Sequence, residues 1–306
     1  MFRSFLNRLP IPAGCVALGL MGLGTLLGAL FSPLLLLFGI PSAAIQLLVL
    51  LKLFLPGQIG KVLEDPIALS TLAGTSMAMM LTAVPMRSIL HFSSAVVLWA
   101  AGLLLHLAII AVFSVRLSRV KPGFKAVRGS WLLVYVGIAA AAISAPAFSA
   151  QVIGRILLVP SGIGMLVLLP LICHAERTAK IPQKQQPLFC ITAAPASIWL
   201  VGYLSSASQP SGNLVLILLI LSQVLYIPAL IRFFRTFRNP FAPSFAAFTF
   251  PFVITATALK RAAGFLGFPD SVQILITLEI LVALVFCIFT VWKYCCFLFP
   301  TEKAAA

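Results

Sequence analysis

Runs of about twenty consecutive apolar residues follow one another along almost the whole chain, and this constrains the fold more than any single motif. Hydrocarbon offers no partner to a free backbone N–H or C=O, so such runs cross it as helices that close their own hydrogen bonds. A soluble globule is excluded, because 61% of the residues are apolar and only 9% charged, against roughly a quarter charged in soluble domains. A transmembrane β-barrel is excluded as well, since its strands are short and alternate apolar with polar positions. The expected fold class is an all-α polytopic membrane protein, with residues 1–306 forming a single transmembrane domain.

Ten spans fit the sequence, at about Pro10–Ala29, Ser32–Leu55, Ile67–Val84, Ile89–Val115, Trp131–Ser149, Val152–Cys173, Pro187–Ser206, Asn213–Ile231, Pro243–Leu259 and Val272–Phe297. The third is short and rich in hydroxyls, which suits a helix enclosed by others. The stretch 131–173 divides where Pro146 is followed by Ser149, Ala150 and Gln151. The basic N-terminus resembles the start of a signal peptide, but the apolar run behind it is too long for one and is kept as the first span. Of the 21 Lys and Arg residues, 17 fall at the termini and in the even-to-odd links, and four (Arg87, Arg155, Lys260 and Arg261) on the opposite face. The positive-inside rule then puts both termini in the cytoplasm of a multi-pass protein of the cell membrane, plasma or inner. The net charge of +15 is thereby explained without nucleic acid, and the lipid bilayer is the expected partner.

The ten spans pair into five hairpins, and the first member of each carries an irregularity. These are Pro12 with Gly14, Gly74 with Thr75, Gly137 with Pro146, Pro195, and Pro251. Anchors at Pro12, Thr75, Val136, Pro195 and Pro251 step by 63, 61, 59 and 56 residues, the period of one helical hairpin. Odd spans therefore run in one direction, broken and rich in small residues, while even spans are more uniformly apolar. Broken helices inside and smooth helices outside suit a ring around a central path.

The segment Asn239–Lys260 concentrates these features. It is membrane-long, yet Pro251 has no N–H to donate and clashes one turn back, so a break is expected there with a freed carbonyl near Ala247. Phe245, Phe248, Phe250 and Phe252 surround it, with Thr249, Thr255 and Thr257 as polar side chains, and Lys260 and Arg261 close it.

Three stretches, LPIPAGCVALGLMGLGTLL, PLFCITAAPASIWLVGYL and FAPSFAAFTFPFVITATA, resemble the tellurite-resistance/dicarboxylate transporter family, which includes TehA-type channels, plant guard-cell slow anion channels, malate permeases and sulfite exporters. The resemblance implies ten transmembrane helices as five hairpins in quasi-fivefold arrangement around a central pore, odd helices inside, assembled as a homotrimer. It further implies a phenylalanine of the ninth span as the pore gate, which the motif match puts at Phe250, with Phe248 as the neighbouring alternative. Pro12, Gly14, Gly74, Thr75, Pro146, Pro195, Thr249 and Pro251 are the corresponding pore-helix kinks and lining. Phe245-Ala246-Ala247 departs from the bulkier residues of channel relatives. The implied cargo is a small anion, either a C4-dicarboxylate such as malate or a tellurite- or sulfite-type oxyanion. The alternative is a passive gated channel for small inorganic anions.

Arg87, Arg155, Lys260 and Arg261 either attract anions at the outer mouth or anchor helix ends at the interface. Glu279 is an acid at membrane depth, where a proton-coupling role competes with a structural hydrogen bond or a contact between protomers. His106 is expected to be a satisfied buried histidine rather than a relay. The six cysteines show neither CxxC nor paired spacing, so no disulfide framework, metal site or cofactor is expected. Most read as small packing residues, with acylation of Cys295 and Cys296 the lesser alternative. No catalytic motif or long soluble loop occurs, so the chain is not expected to be an enzyme.

Overall fold

The computed structural model describes residues 2–89, 91–120 and 123–300, and all regular structure among them is helical. The short α1 (Phe2–Arg8) is followed by α2 (Ala13–Gly28), which leaves it at 86°. Next come α3 (Pro33–Leu53), the short α4 (Gln58–Glu64), α5 (Pro66–Met86) and α6 (Phe92–Val120). The stretch 131–148 is broken into α7 (Trp131–Tyr135), α8 (Ala139–Ser144) and a 3₁₀ turn at Ala145–Phe148. After α9 (Gln151–Thr178), a 3₁₀ segment (Gln183–Ala193) feeds α10 (Ala194–Ser206). Then come α11 (Gly212–Thr236), a second such pairing of Pro243–Phe248 with α12 (Phe250–Leu266), and α13 (Val272–Leu298). Seven of these helical stretches are long and apolar enough to cross a membrane, eight when the bent α1–α2 pair counts as one. The stretches 131–148 and 243–266 reach span length only across a break.

Burial sorts the helices into two layers. The most apolar window of α5 is 83% buried and that of Gln183–Ser206 72%, against 17% for α3 and 28% for α6 and α9. α2 is buried along nearly its whole length. Inner helices contact one another in a closed order: α2 packs on α5, α5 on α8, α8 on α10, α10 on α12, and α12 returns to α2. Each also packs against the outer helix that follows it in the chain, α3, α6, α9, α11 or α13.

Apart from Pro85, which lies inside α5 near its end, prolines behave differently in the two layers. Pro41, Pro160, Pro170 and Pro228 lie inside outer helices that run on regardless. In the inner layer Pro12 caps α2, and Pro195 and Pro251 stand in the first turn of α10 and α12, where the missing N–H would have no intrahelical partner anyway. The expected kink at Pro251 is therefore a break at Thr249 (φ −101°, ψ −92°), with the proline starting the new helix. The irregularity expected at Gly74 and Thr75 is absent: α5 is continuous there, because its glycine serves close packing rather than a bend. Ser149, at φ 55°, turns the chain from the Pro146 segment into α9 as expected.

Carbonyls at the breaks also accept from side-chain donors. The Val136 carbonyl accepts from Ser161 Oγ at 2.9 Å, and that of Ala193 from Thr255 Oγ1 at 3.2 Å. The Ala246 carbonyl accepts from Thr249 Oγ1 at 2.8 Å. These are second bonds: the Val136 and Ala246 carbonyls also accept the N–H groups of Ala139 and Thr249, and the Ala193 carbonyl also accepts from Ser197 Oγ.

Loop contacts define one face of the bundle. Gln58 donates to Asn7, Arg116 to the Glu64 carbonyl, Arg128 to Gln185, Ser244 to the Lys184 carbonyl and Tyr294 to the Pro243 carbonyl. This chain of contacts gathers the N-terminus, the basic links and the end of α13 on one side. On the same side the buried ammonium of Lys52 donates to the carbonyls of Leu6, Asn7 and Leu9 at 3.2, 3.0 and 2.7 Å, capping the end of α1. Arg155 and Arg261 bond Ser206 and Ser205 on the opposite face. Cys15, Cys190 and Cys287 are buried as expected of packing residues, whereas Cys295 and Cys296 are exposed and pack nothing, because they lie on the outward side of α13.

Candidate functional site

Among the inner helices, Phe250, the first residue of α12, is only 2% exposed. On one side of it opens a cavity of about 510 Å³, lined by α2, α5, α10 and α12 together with Ile143 of α8. On the other side lie two voids of about 10 and 20 Å³, bordered by Pro12, Cys15, Leu133, Ile191, Pro195 and Pro251 among others. Phe250 is the one residue that borders all three spaces. Voids of that size hold at most about one water.

The break before α12 is what aims the ring inward. Residues 250, 253, 254, 257, 260, 261 and 264 recur every three or four positions, so they share one helix face, and all line the large cavity. Phe248, two residues earlier, lies across the break and points elsewhere. It is fully buried and packs edge-on to Phe233 at 4.8 Å, in a cluster that also holds Phe252 and Phe286.

Lys260 and Arg261 both line the large cavity. Arg261 donates to Ser205 Oγ at 2.7 Å, and among the described residues neither cation has an acid within ion-pair distance. Thr25 and Thr257 also line it, but their hydroxyl protons are used on the Met21 and Val253 carbonyls of their own helices. Its charged donors are thus the two basic side chains. Arg87 and Arg155 lie elsewhere: Arg87 stands over the Phe92 ring, 5.4 Å from its centroid, and Arg155 donates to the Ser206 carbonyl at 3.2 Å.

The other residues expected along the path divide. Pro12, Pro195 and Pro251 border the small voids. Gly14, Gly74, Thr75 and Thr249 face neighbouring helices instead. A Cβ on Gly14 would meet Thr75, one on Gly74 would meet Cys15, and one on Gly19 would meet Thr249. These positions let α2 approach α5 and α12 closely. Pro146 sits in the 3₁₀ turn beyond α8, bordering none of the three spaces.

His106 is satisfied, bonded to Ser76 and to the Val134 carbonyl. Glu279 lies beside the Gln223 side chain, the partner at hand for the expected structural hydrogen bond, although among the described residues neither carboxyl oxygen has a partner in strict bonding geometry. Glu279 faces α11 and borders none of the three spaces on the axis.

Sequence reasoning did not single out Gly22, Thr25 or Gly264 as lining residues, though it named Thr257 among the polar side chains of this segment. Helical spacing counted forward from Phe250 reaches Thr257 and Gly264, but it needs α12 to begin at Phe250, which a helix drawn from Pro243 does not provide. Residues 9–298 match the family model described as voltage-dependent anion channel. None of the curated proteins compared with the chain matches it.

Proposed function

Because the chain belongs to the voltage-dependent anion channel family, we propose that it passes small anions along the axis enclosed by α2, α5, α8, α10 and α12, with Phe250 as the occluding ring. Ten crossings arranged as five hairpins in quasi-fivefold order complete this reading. The closed order of inner-helix contacts supports it, with the broken stretches 131–148 and 243–266 each counted as one crossing.

The observation that carries the proposal is the position of Phe250 between a wide basic mouth and two voids too small for an ion. An ion passing this point needs the ring to move. Lys260 and Arg261 raise the local concentration of anions and repel cations at the mouth.

A passive, gated channel is favoured over a proton-coupled carrier of malate or of tellurite- or sulfite-type oxyanions. Among the described residues no Asp, Glu or His lines the three spaces, so the path has no side chain suited to carry a proton with the cargo. Nor do the small voids contain a basic pair to hold a dicarboxylate. The segregation of basic residues supports a cell-membrane orientation with both termini cytoplasmic. Reporter fusions at Arg119 and Gln185 should then read cytoplasmic and one at Ala207 external.

The test of function is anion efflux from liposomes holding the purified protein, with and without an imposed proton gradient. Flux that follows the anion gradient alone and rises in Phe250→Ala is expected. Flux that requires the proton gradient would replace the channel with a coupled carrier.

A further inference from the structure

A groove of about 430 Å³ lies in the outer layer, between the end of α4 and the last turns of α6, and shares no lining residue with the three axial spaces. Leu63, Ala111, Val112 and Val115 form its apolar wall, and Arg116 and Arg119 are its charged residues. The wall does not stop at the groove. Leu104, Leu107, Ala111, Val112 and Val115 follow one another at helical spacing on the exposed side of α6, so it continues into the hydrocarbon for roughly 16 Å at 1.5 Å per residue. Arg116 and Arg119, three residues apart, share one side of that helix. The acids next to Leu63 do not neutralise them. Asp65 caps α5 through the Ile67 N–H, Glu64 meets Arg116 with its carbonyl rather than its carboxylate, and neither arginine is ion-paired among the described residues.

We propose that this groove holds one anionic phospholipid, its phosphate on Arg116 and Arg119 and an acyl chain along Leu63, Val112 and Val115. Guanidinium groups match phosphate oxygens with paired N–H donors, and the apolar wall below them gives nothing to an ion that carries no chain. A zwitterionic choline lipid adds a cation that two neighbouring arginines repel. The groove lies on the face that gathers the basic links, the cytoplasmic one in the proposed orientation, and anionic lipids are concentrated in cytoplasmic leaflets. The bound lipid joins α4 to the end of α6 alongside the bond from Arg116 to the Glu64 carbonyl. The site does not depend on the path through Phe250.

Native mass spectrometry of the full chain released from detergent micelles counts bound lipids and associated chains in one measurement. Phosphatidylglycerol and phosphatidylcholine with the same acyl chains are the probes, and glycerol 3-phosphate supplies the headgroup without a chain. One phosphatidylglycerol should bind in preference to phosphatidylcholine, and glycerol 3-phosphate should not displace it. Arg119→Gln should lower its affinity about ten-fold, the loss of one charge-assisted bond. Val112→Trp, which fills the groove from an exposed position, should lower it comparably with both arginines in place. Arg177→Gln combined with Lys180→Gln removes an exposed basic pair of the same spacing at the end of α9 and should leave it unchanged. An equal loss in that control would reduce the effect to general attraction by the basic face and overturn the site. Unchanged affinity in Arg119→Gln or in Val112→Trp, or displacement by glycerol 3-phosphate, overturns it too. A changed number of chains in Val112→Trp with the bound lipid retained would give the groove to a second copy instead.

Discussion

Nε2 of His106, on the outer helix α6, stands 3.0 Å from the carbonyl oxygen of Val134 at the end of α7. Nδ1 of the same ring stands 2.8 Å from Ser76 Oγ on α5. A carbonyl only accepts, so Nε2 carries a proton. His106 thus links two inner elements from outside and satisfies a backbone group next to the break before α8. Replacing it with Leu should lower stability by about 1–3 kcal/mol, the cost of leaving the Val134 carbonyl unpaired. Thermal unfolding in detergent checks this, with His106→Gln expected to recover part of the loss.

Two phenylalanines two residues apart at the start of α12 should respond in opposite ways. Phe252 is fully buried and packs edge-on to Phe286 at 4.8 Å and Tyr226 at 5.6 Å. Its truncation to Ala should cost about 3–5 kcal/mol without opening a leak. Phe250 borders empty space on two sides, so Phe250→Ala should cost less stability and raise anion flux. Flux and melting temperature measured on both variants distinguish the two roles, and equal flux in folded Phe250→Ala and wild type would remove Phe250 as the gate.

Gly14 and Thr75 form a close contact between α2 and α5. An added Cβ at Gly14 would run into the Thr75 side chain, so Gly14→Ala should cost about 1–3 kcal/mol. Thr75 Oγ1 is buried without a hydrogen-bond partner, so Thr75→Ala alone should be neutral or stabilising. The double variant should recover at least half of the loss. No recovery would mean that the backbone, rather than the threonine side chain, limits the approach.

At Glu279 both oxygens lack a donor while Gln223 Nε2 lacks an acceptor. Glu279→Gln supplies an amide that can bond Gln223 in either sense, and stability should rise by about 1 kcal/mol. Because the side chain faces α11 and borders none of the axial spaces, the dependence of anion flux on pH should match wild type. A changed profile would assign Glu279 a coupling role.

The membrane character and the order of the helices were legible because burial in lipid leaves a long, one-signed mark on composition. Inner and outer layers were legible from where small residues concentrate and from the smoother apolar runs of the even spans. The meaning of individual residues was harder to read. Proline looked alike in both layers, although Pro228 rides inside a continuous helix and Pro251 begins one. Glycine and threonine suggest either a bend, a lining or a close contact, and only the facing helix decides. Gly74 became a contact because Cys15 lies opposite. Lys260 and Arg261 ended at a cavity while Arg87 found an aromatic ring, a difference set by helix packing that local sequence does not encode.

The grip of Lys52 on the end of α1 also bears on how the protein is made. Its nearest acceptor, Leu9, lies 43 residues earlier, so the N-terminal helix is synthesised well before the ammonium that caps it. Until α3 is in place, α1 ends in open carbonyls, and once it is, removing residues 2–9 would strand a buried cation. The opening segment therefore completes the first hairpin late, during biogenesis, and a tag joined directly to it would load that closing step.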